Sequence, residues 1–481
     1  MTLVEIVALL RARDLVVSAP NDGLDVTELA VDSRQAVPGS CFIAIRGSVD
    51  DGTRFVADAV VAGAVLVVSE EAADAGVPVV VVTDARHAAE VLAAEWYQRP
   101  ADSLVLHGIT GTNGKTTTTA LLRHLLNAAA TAGSIGTLGA FDGTGRTVAS
   151  TAGTLTTPGP LDLQATLRAL LDAGVTDVVM ETSSHALHQG RLDGLVFDSG
   201  VFTNLTRDHL DYHQTMDAYR EAKLRLIDLV SGDGVLAINS DEPAWEALCC
   251  DRRAVTWGLG ADAMVRITEI AQVTAGSRFH LAGRFGAGEV NLPLPGDFNI
   301  SNAVAAAAVV LGRGMPMAEV VRRLESSPQV PGRMERIIDA PFHVIRDYAH
   351  TPDALERALA TLRPITPGRI IVLFGCGGDR DRGKRPMMGQ VAAAGADHVI
   401  VTSDNPRTED PDQIIDDIVQ GMPAGSYERE VDRLVAISIA TGGARAGDAV
   451  LLAGKGHETY QVIGTESVPF DERSIVRSLV R

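Results

Sequence analysis

The stretch SLVLHGITGTNGKTTTTALLRHLL, residues 103–126, decides how this chain is read. Its apolar run 103–110 predicts a buried strand, GTNGKT (111–116) a glycine loop, and residues 117–130 a helix. Strand, glycine loop and helix in that order make a phosphate site. Gly111 and Gly114 allow a tight turn with backbone N–H groups aimed at an anion, and Lys115 adds a point charge. Thr116 can offer its hydroxyl to Mg²⁺, and the helix N-terminus adds its positive end. The strict P-loop spacing asks for glycine five residues before Gly114; Ile109 stands there, and Gly108 lies one residue further away.

Working outward, the alternation continues on both sides. Upstream, AVLVVSEE (64–71) and VPVVVVTD (77–84) predict buried strands, 85–98 a helix, and Arg99-Pro100 a boundary. The first residues, MTLVEIVALLRARDL, predict a short amphipathic helix and not a signal peptide. Downstream, VTDVVMETS (175–183), FDSGVFTNLT (197–206) and GVLAINSD (234–241) predict strands, 217–230 a helix, and 264–294 an antiparallel flap. Past a Pro/Gly-punctuated boundary at 328–336, four strand candidates alternate with helices: HVIRDYAH, RIIVLFGCGG, HVIVTSDN and DAVLLAGKG. The fold class is α/β with mostly parallel sheets, in three domains over 1–99, 100–330 and 331–481, the last a smaller doubly wound domain. In such sheets ligands sit at the carboxyl ends of the strands, where the polar motifs lie.

Composition narrows the function classes. With 42 Lys+Arg against 61 Asp+Glu, the net charge of −19 leaves no basic footprint for nucleic acid or an anionic membrane. Four Cys, two of them adjacent at Cys249 and Cys250, with no CxxC, fit a reducing compartment and not a disulfide framework. No apolar run reaches the length of about 18 residues that a transmembrane helix needs. A cytoplasmic protein is expected.

Several residues carry chemistry by their type and place. Glu181 closes the run VTDVVM, and a carboxylate near a phosphate loop is a suitable Mg²⁺ ligand. His209 sits in RDHLDYH after another strand; a lone His is more often structural than a ligand. Lys223 lies on a helical stretch, where a solvated Lys is the plain alternative. Arg407, in DNPR (404–407), has the planar fork that suits a carboxylate, although Asn-Pro also forms ordinary turns.

The variant loop GTNGKT resembles that of the Mur ligases and folylpolyglutamate synthases, ATP-dependent enzymes that make amide bonds. Further motifs match the Mur ligases in chain order: DSRQAVPGSCFIAIRG (32–47), METSSHALHQGR (180–191), TNLTRDHLDYH (203–213), YREAKL (219–224), GRME (332–335), DYAHTPDAL (347–355), GCGGDRDRGKRPMMG (375–389), SDNPRTEDP (403–411) and AGKGHE (453–458). The resemblance covers nearly the whole chain. It implies an N-terminal UDP-binding domain, a central P-loop ATPase domain and a C-terminal Rossmann-like domain that binds an amino acid.

The same resemblance implies roles. Gly111, Thr112, Asn113, Gly114, Lys115, Thr116 and Thr117 would bind ATP, with Asn302 near adenine, Asp347 and His350 near ribose and base, and Arg333 on the γ-phosphate. Helix capping or a joint salt bridge is the alternative for these last residues. Two Mg²⁺ would be held by Thr116, Glu181, His209 and Lys223, the last carbamylated by CO₂ (N6-carboxylysine), which requires a depressed amine pKa. Lys115, Lys223, His209 and Arg333 would be the catalytic set. Ser33, Thr156, Thr157, Ser183, Gln189 and Arg191 match contacts to UDP-MurNAc-L-Ala-D-Glu, with Ser48-Val49-Asp50 a looser match; Leu155 stands where the family often has Asn. Arg380, Asp404, Asn405, Pro406, Arg407, Gly454 and Glu458 match a meso-2,6-diaminopimelate pocket, Glu458 facing an ammonium. The expectation is a monomeric, diaminopimelate-adding ligase working through an acyl phosphate, with domain closure about hinges near 99–103 and 328–333. An L-lysine-adding ligase, or a nucleotide-binding regulator on the same scaffold, would share most of these motifs.

Overall fold

The computed structural model describes all residues except 22, 48–50, 73, 128–130, 149–154, 274–275 and 481. The looser uridine match at Ser48-Val49-Asp50 and the end of the helix expected over 117–130 therefore lie outside the described residues. The chain divides into two compact units, residues 1–264 with 305–315, and residues 265–304 with 316–481.

The first unit opens with the helix Leu3–Arg11, closed at its start by a reciprocal capping box in which Thr2 accepts from Glu5 N and Glu5 accepts from Thr2 N. A five-stranded sheet follows, in the order Val16–Ser18, Val79–Val82, Leu66–Ser69, Ser40–Ile43, Glu28–Ala30, parallel except for the first pair. Its side chains alternate between two cores. Cys41, Ile43, Leu66, Val68, Val80 and Val82 face one; Phe42, Ala44 and Val67 face the other. Strands buried on both faces have no polar side, which is why these runs are continuously apolar.

The same unit holds seven strands in the order Ala254–Gly258, Val230–Asn239, Phe197–Phe202, Val105–Thr110, Asp177–Glu181, Ala132–Gly136, Gly139–Phe141. All neighbours run parallel except the closing hairpin. The strand before the glycine loop is thus central, with Ile109 opposite Glu181 and Thr110 opposite Phe202. That register brings three polar strand ends side by side.

The helix expected over 217–230 is shorter. Met216–Leu224 ends at Arg225, a single turn Leu226–Leu229 follows, and Val230 already belongs to a strand. Packing explains the break: a Cβ on Gly108 would run into Leu226 and one on Gly200 would crowd Val230, so the sheet surface is hollowed to receive this turn. Gly108, the residue nearest the missing P-loop glycine, is therefore a packing glycine.

The second unit contains three antiparallel strands, Val265–Val273, Gly276–Gly283 and Gly288–Leu292, as expected for the flap. It also contains a six-stranded sheet in the order Glu335–Ile338, His343–Asp347, Ala449–Ala453, Ile370–Phe374, His398–Val401, Glu428–Arg429. Only the first pair is antiparallel. Helices cover both faces: Val372, Phe374, Val399 and Leu451 share one core with Leu355, Met388 and Ile414, while Ile371, Leu373, Ile400 and Leu452 share the other with Ile437 and Val476. The helix Asp297–Gly312 starts four residues earlier than the run SNAV suggests.

The three-domain division remains a proposal, supported by the separate cores of the N-terminal sheet, the P-loop sheet and the C-terminal sheet. Among the described residues no helix is long and apolar enough to cross a membrane.

Candidate active site

In the first unit the site grows from the glycine loop. Gly111 has φ +145° and Gly114 φ +87°, and a Cβ on Gly111 would collide with Thr203. The loop needs its glycine at 111, where Thr203 leaves no room for a Cβ, while position 109 lies within the strand Val105–Thr110 and is buried there as Ile. The helix starts at Lys115, two residues earlier than expected. Lys115 Nζ donates to the carbonyls of Gly111 and Thr112, both at 2.9 Å.

Glu181 is buried at the end of its strand, and its carboxylate gathers hydroxyls. Oε2 accepts from Thr116 Oγ1 and Thr137 Oγ1, both at 3.1 Å, and Oε1 accepts from Thr137 N at 2.8 Å. Lys223 comes from the helix Met216–Leu224 and is 1% exposed, which excludes the solvated-Lys alternative. Its Nζ donates to the same Gly111 carbonyl at 2.8 Å and lies 4.3 Å from the Tyr219 ring centroid. Burial, and then the Lys115 charge, hold its pKa well below the usual lysine range. His209, in a left-handed conformation at φ +51°, packs against Tyr219 from another side, with ring centroids 6.1 Å apart, and edge-on against His185 at 4.8 Å. Burial lowers the His209 pKa; the same cause takes His185 and His213 down to about 4.

A hydroxyl-and-guanidinium cluster adjoins Glu181. Thr157 Oγ1 donates to the Glu181 carbonyl at 2.8 Å and pairs with Ser183 Oγ at 3.1 Å, while Arg191 donates to the Thr157 carbonyl at 3.0 Å and grips Gln189 Oε1. Thr156 Oγ1 lies 3.3 Å from Thr137 Oγ1. Thr156, Thr157, Ser183, Gln189 and Arg191 are thus brought together beside Glu181. Leu155 is half exposed. Ser33 begins the turn Ser33–Gln35 of the N-terminal sheet, and among the described residues no hydrogen bond joins it to that cluster.

The chemistry of the donors fits magnesium. Thr116 and Glu181 offer hard oxygens, one carboxylate and one hydroxyl, and Mg²⁺ sites of this kind draw their remaining ligands from phosphate and water. Among the described residues no group of three His, Cys, Asp or Glu is arranged to hold a metal. A carbamate on Lys223 would add oxygen donors that an unmodified lysine lacks.

In the second unit another group of strand ends converges. Asp347 is half-buried and accepts from Met334 N at 2.7 Å, and loss of solvation raises its pKa. Arg333 lies over the Tyr348 ring, 4.8 Å from its centroid. Gly332, at φ +67°, has room for no Cβ against the backbone of Gly456 and His457, so the GRME loop rests directly on the GKGHE loop. His350 Nδ1 lies 2.9 Å from the Tyr348 carbonyl, and Asn302 is buried in the helix Asp297–Gly312.

The DNPR segment is a shaped turn and not a free loop. Asn405 Nδ2 donates to Glu458 Oε2 at 2.9 Å, and Gln461 Nε2 donates to the Asp404 carbonyl at 2.8 Å. Pro406 is buried. Arg407 has φ +52°; its N donates to Val462 O at 3.0 Å, its O accepts from Gly464 N at 2.8 Å, and Nη1 donates to Gly378 O at 2.8 Å. A Cβ on Gly377 would sit 2.9 Å from Arg407 Nη1 and 3.7 Å from Arg380 Cγ, so both guanidinium-bearing side chains border the same glycine. Gly454, at φ +108°, leaves space for the Asp404 carboxylate.

Three residues here carry weight that sequence reading passed over. Thr137 supplies two of the hydrogen bonds on Glu181; its signal was the glycine turn 136–139. Lys455 lies inside a motif already singled out, yet its complete burial is visible only in the fold. Arg433, with Glu472 as partner at 2.8 Å and both fully buried, donates to the carbonyls of Ser403 and Ala453, the residues just before Asp404 and Gly454. It clamps together the two strand ends that lead into Asp404 and Gly454. Replacing Glu472 with Ala would leave that guanidinium without its buried counter-charge and is expected to cost about 3–5 kcal/mol of stability, checked by urea denaturation.

Comparison with known proteins places these motifs. The Mur ligase middle domain matches residues 109–310 and the Mur ligase glutamate ligase domain residues 332–456. A UDP-N-acetylmuramoyl-L-alanyl-D-glutamate--2,6-diaminopimelate ligase of Geobacillus thermodenitrificans is 43% identical over 469 residues, covering 95% of each chain. This chain belongs to the Mur ligase family. A second Mur ligase relative, of the same description, from Synechococcus sp. strain WH7803, is 45% identical and covers 98% of each chain. A solved structure of a ligase with that description matches with a TM-score of 0.67 and 35% identity over 100% of this chain and 98% of that one. The Acinetobacter baumannii MurF structure, 22% identical with a TM-score of 0.66 over 98% of this chain and 97% of that one, shares the Mur ligase fold.

Proposed function

We propose that this chain is an ATP-dependent amide ligase that joins meso-2,6-diaminopimelate to the D-Glu γ-carboxylate of UDP-MurNAc-L-Ala-D-Glu, forming the UDP-MurNAc-tripeptide of peptidoglycan synthesis. The relatives named for this reaction align over nearly the full chain. The observation that carries the chemical reading is the continuity of one cluster: Lys115 on the glycine loop, Thr116 on the Glu181 carboxylate, Thr157 on the Glu181 backbone carbonyl, and Ser183 on Thr157. A phosphate loop and a cluster suited to a peptide carboxylate then share one wall.

The residues divide the work. The glycine-loop N–H groups and Lys115 hold the ATP phosphates while the D-Glu γ-carboxylate attacks the γ-phosphorus, ADP departs, and an acyl phosphate remains. Arg191, Gln189, Ser183, Thr156 and Thr157 orient the dipeptide so that its carboxylate meets the phosphate in line. The amine of diaminopimelate then attacks the acyl carbon and phosphate leaves. Thr116 and Glu181, with His209 and a carbamylated Lys223, are the residues that would hold two magnesium ions, whose chemistry is to neutralise charge on the phosphoryl oxygens. Burial favours the neutral form of the Lys223 amine, the form that adds to CO₂ and loses a proton to become a carbamate. Arg333, Asp347 and Asn302 belong to the second unit, and their roles toward the nucleotide rest on the family pattern. Ser33 takes the uridine end on the same ground. We place the enzyme in the cytoplasm, as a monomer.

The lysine-adding alternative is disfavoured by Arg407, whose fork has no use for a side chain that lacks a carboxylate. A mere regulator would have no need of Lys115, Glu181, His209 and Lys223 together. The test is phosphate release with ATP, Mg²⁺, bicarbonate and UDP-MurNAc-L-Ala-D-Glu, comparing meso-diaminopimelate with L-lysine. Turnover with diaminopimelate and rejection of lysine is expected. Equal use of both sinks the pocket assignment, and ATP binding without turnover sinks the ligase.

A further inference from the structure

The amino-acid pocket contains a buried cation that no substrate contact explains. Lys455 is fully buried, and its Nζ donates to Asn405 Oδ1 at 3.0 Å and to Glu458 Oε2 at 3.1 Å. Asn405 also donates to that same Oε2, at 2.9 Å, while its Oδ1 accepts from Val462 N at 3.0 Å. One carboxylate oxygen of Glu458 is therefore saturated from inside the protein. Among the described residues, Oε1 has no donor on it.

We infer that Lys455 is a specificity-determining residue: it occupies Glu458 Oε2 and offsets that carboxylate's charge, so Glu458 presents one acceptor oxygen within a pocket of no net negative charge, which favours a zwitterionic side-chain end over a lone ammonium. The inference rests on the diaminopimelate pocket proposed above. Lys455 and Arg407 stand against Asp404 and Glu458, two charges each way, with Arg380 exposed at the edge. The distal end of diaminopimelate carries one carboxylate and one ammonium. It can meet Arg407 and Glu458 Oε1 together and leave the balance unchanged. The distal end of lysine brings a positive charge alone to a carboxylate whose field Lys455 has already offset. Burial makes that offset matter, because charges away from water are weakly screened. Arg407 thus rewards the correct substrate, while Lys455 withholds reward from the wrong one, and discrimination uses both.

The experiment measures kcat/KM for meso-diaminopimelate and L-lysine in the full-length enzyme, with a thermal melt for each variant. Lys455→Met is expected to lower the diaminopimelate-to-lysine ratio by about tenfold or more, with KM for lysine falling, since Glu458 is unmasked. A damaged pocket does not bind a poor substrate better, so this gain separates specificity from mere support. The double variant Lys455→Met/Glu458→Gln removes both charges and is expected to reject lysine again. Glu458→Gln alone, which keeps the buried cation, is expected to raise KM for lysine and covers the case in which Lys455→Met does not fold. An unchanged ratio in folded Lys455→Met, equal loss of discrimination in the single and double variants, or an unaltered lysine KM in Glu458→Gln overturns the inference. Wild-type enzyme that prefers lysine overturns the pocket reading itself, a separate and visible result.

Discussion

Lys115→Met lowers kcat for phosphate release by about 10²–10³-fold, the usual scale for losing one charge-stabilising donor in a water-poor site. The ammonium sits at the mouth of the glycine loop, held by two loop carbonyls at 2.9 Å, one of which also accepts from Lys223. The same variant has a second consequence. Lys115 is the charge that, after burial, depresses the Lys223 amine. A depressed lysine pKa means that the neutral amine, the form that adds CO₂, persists to lower pH. Removing Lys115 raises that pKa back toward the ordinary range without restoring it, because burial remains. At fixed pH and bicarbonate the carbamate population on Lys223 therefore falls. Carbon-13 NMR with labelled bicarbonate reads that population directly, in the absence of turnover. A carbamate signal of undiminished strength in Lys115→Met would detach the two lysines, and kcat within tenfold of wild type would remove Lys115 from the chemistry.

The sequence was most legible where local pattern and function coincide. Strand, glycine loop and helix at 105–126 follow from hydrophobic runs and punctuation, and the carboxylate at 181 follows from a strand that ends in Glu. The doubly wound C-terminal sheet was legible because strands buried on both faces are apolar throughout. Three kinds of feature were not. Packing glycines look like loop glycines in a string of letters: nothing local distinguishes Gly108, one residue from the P-loop position, from a loop glycine, and only its neighbours Leu226 and Phe197 give it a packing role. Helix breaks imposed by a sheet surface, as at Arg225, override a helical pattern that runs on to 230. Buried cations are the third kind. Lys455 and Arg433 are written with the letters of solvated residues, and only long-range partners, Asn405 and Glu472, make them interior. The short strands Ala254–Gly258 and Glu428–Arg429 were missed for a related reason: sheet neighbours, more than propensity, make them strands.

Arg407→Asn is expected to erase amino-acid selectivity with little loss of fold. Asn is the apt replacement because residue 407 sits at φ +52°, a conformation that Asn tolerates better than most side chains. The backbone bonds to Val462 and Gly464 can therefore persist, and the turn keeps its shape. What disappears is the fork. A carboxylate held by charge-assisted hydrogen bonds gains about 1.5–3 kcal/mol from each, so losing two lowers kcat/KM for meso-diaminopimelate by about 10²-fold or more. Lysine responds in the opposite sense. In the wild-type pocket its binding strands a guanidinium beside Gly377 with no carboxylate to meet; in the variant that penalty is gone. Sites built around a polar partner reject analogues lacking it by about 10⁴–10⁵-fold, and that factor is what the variant gives up. Arg407→Lys separates charge from geometry: it keeps the cation, loses the two parallel donors, and is expected to recover only part of the diaminopimelate kcat/KM. Competition between the two amino acids at equal concentration, with the products resolved by mass, measures all three enzymes on one scale. If Arg407→Asn still makes the diaminopimelate product alone, carboxylate recognition lies elsewhere, and Arg380, which borders the same glycine, becomes the residue to change next.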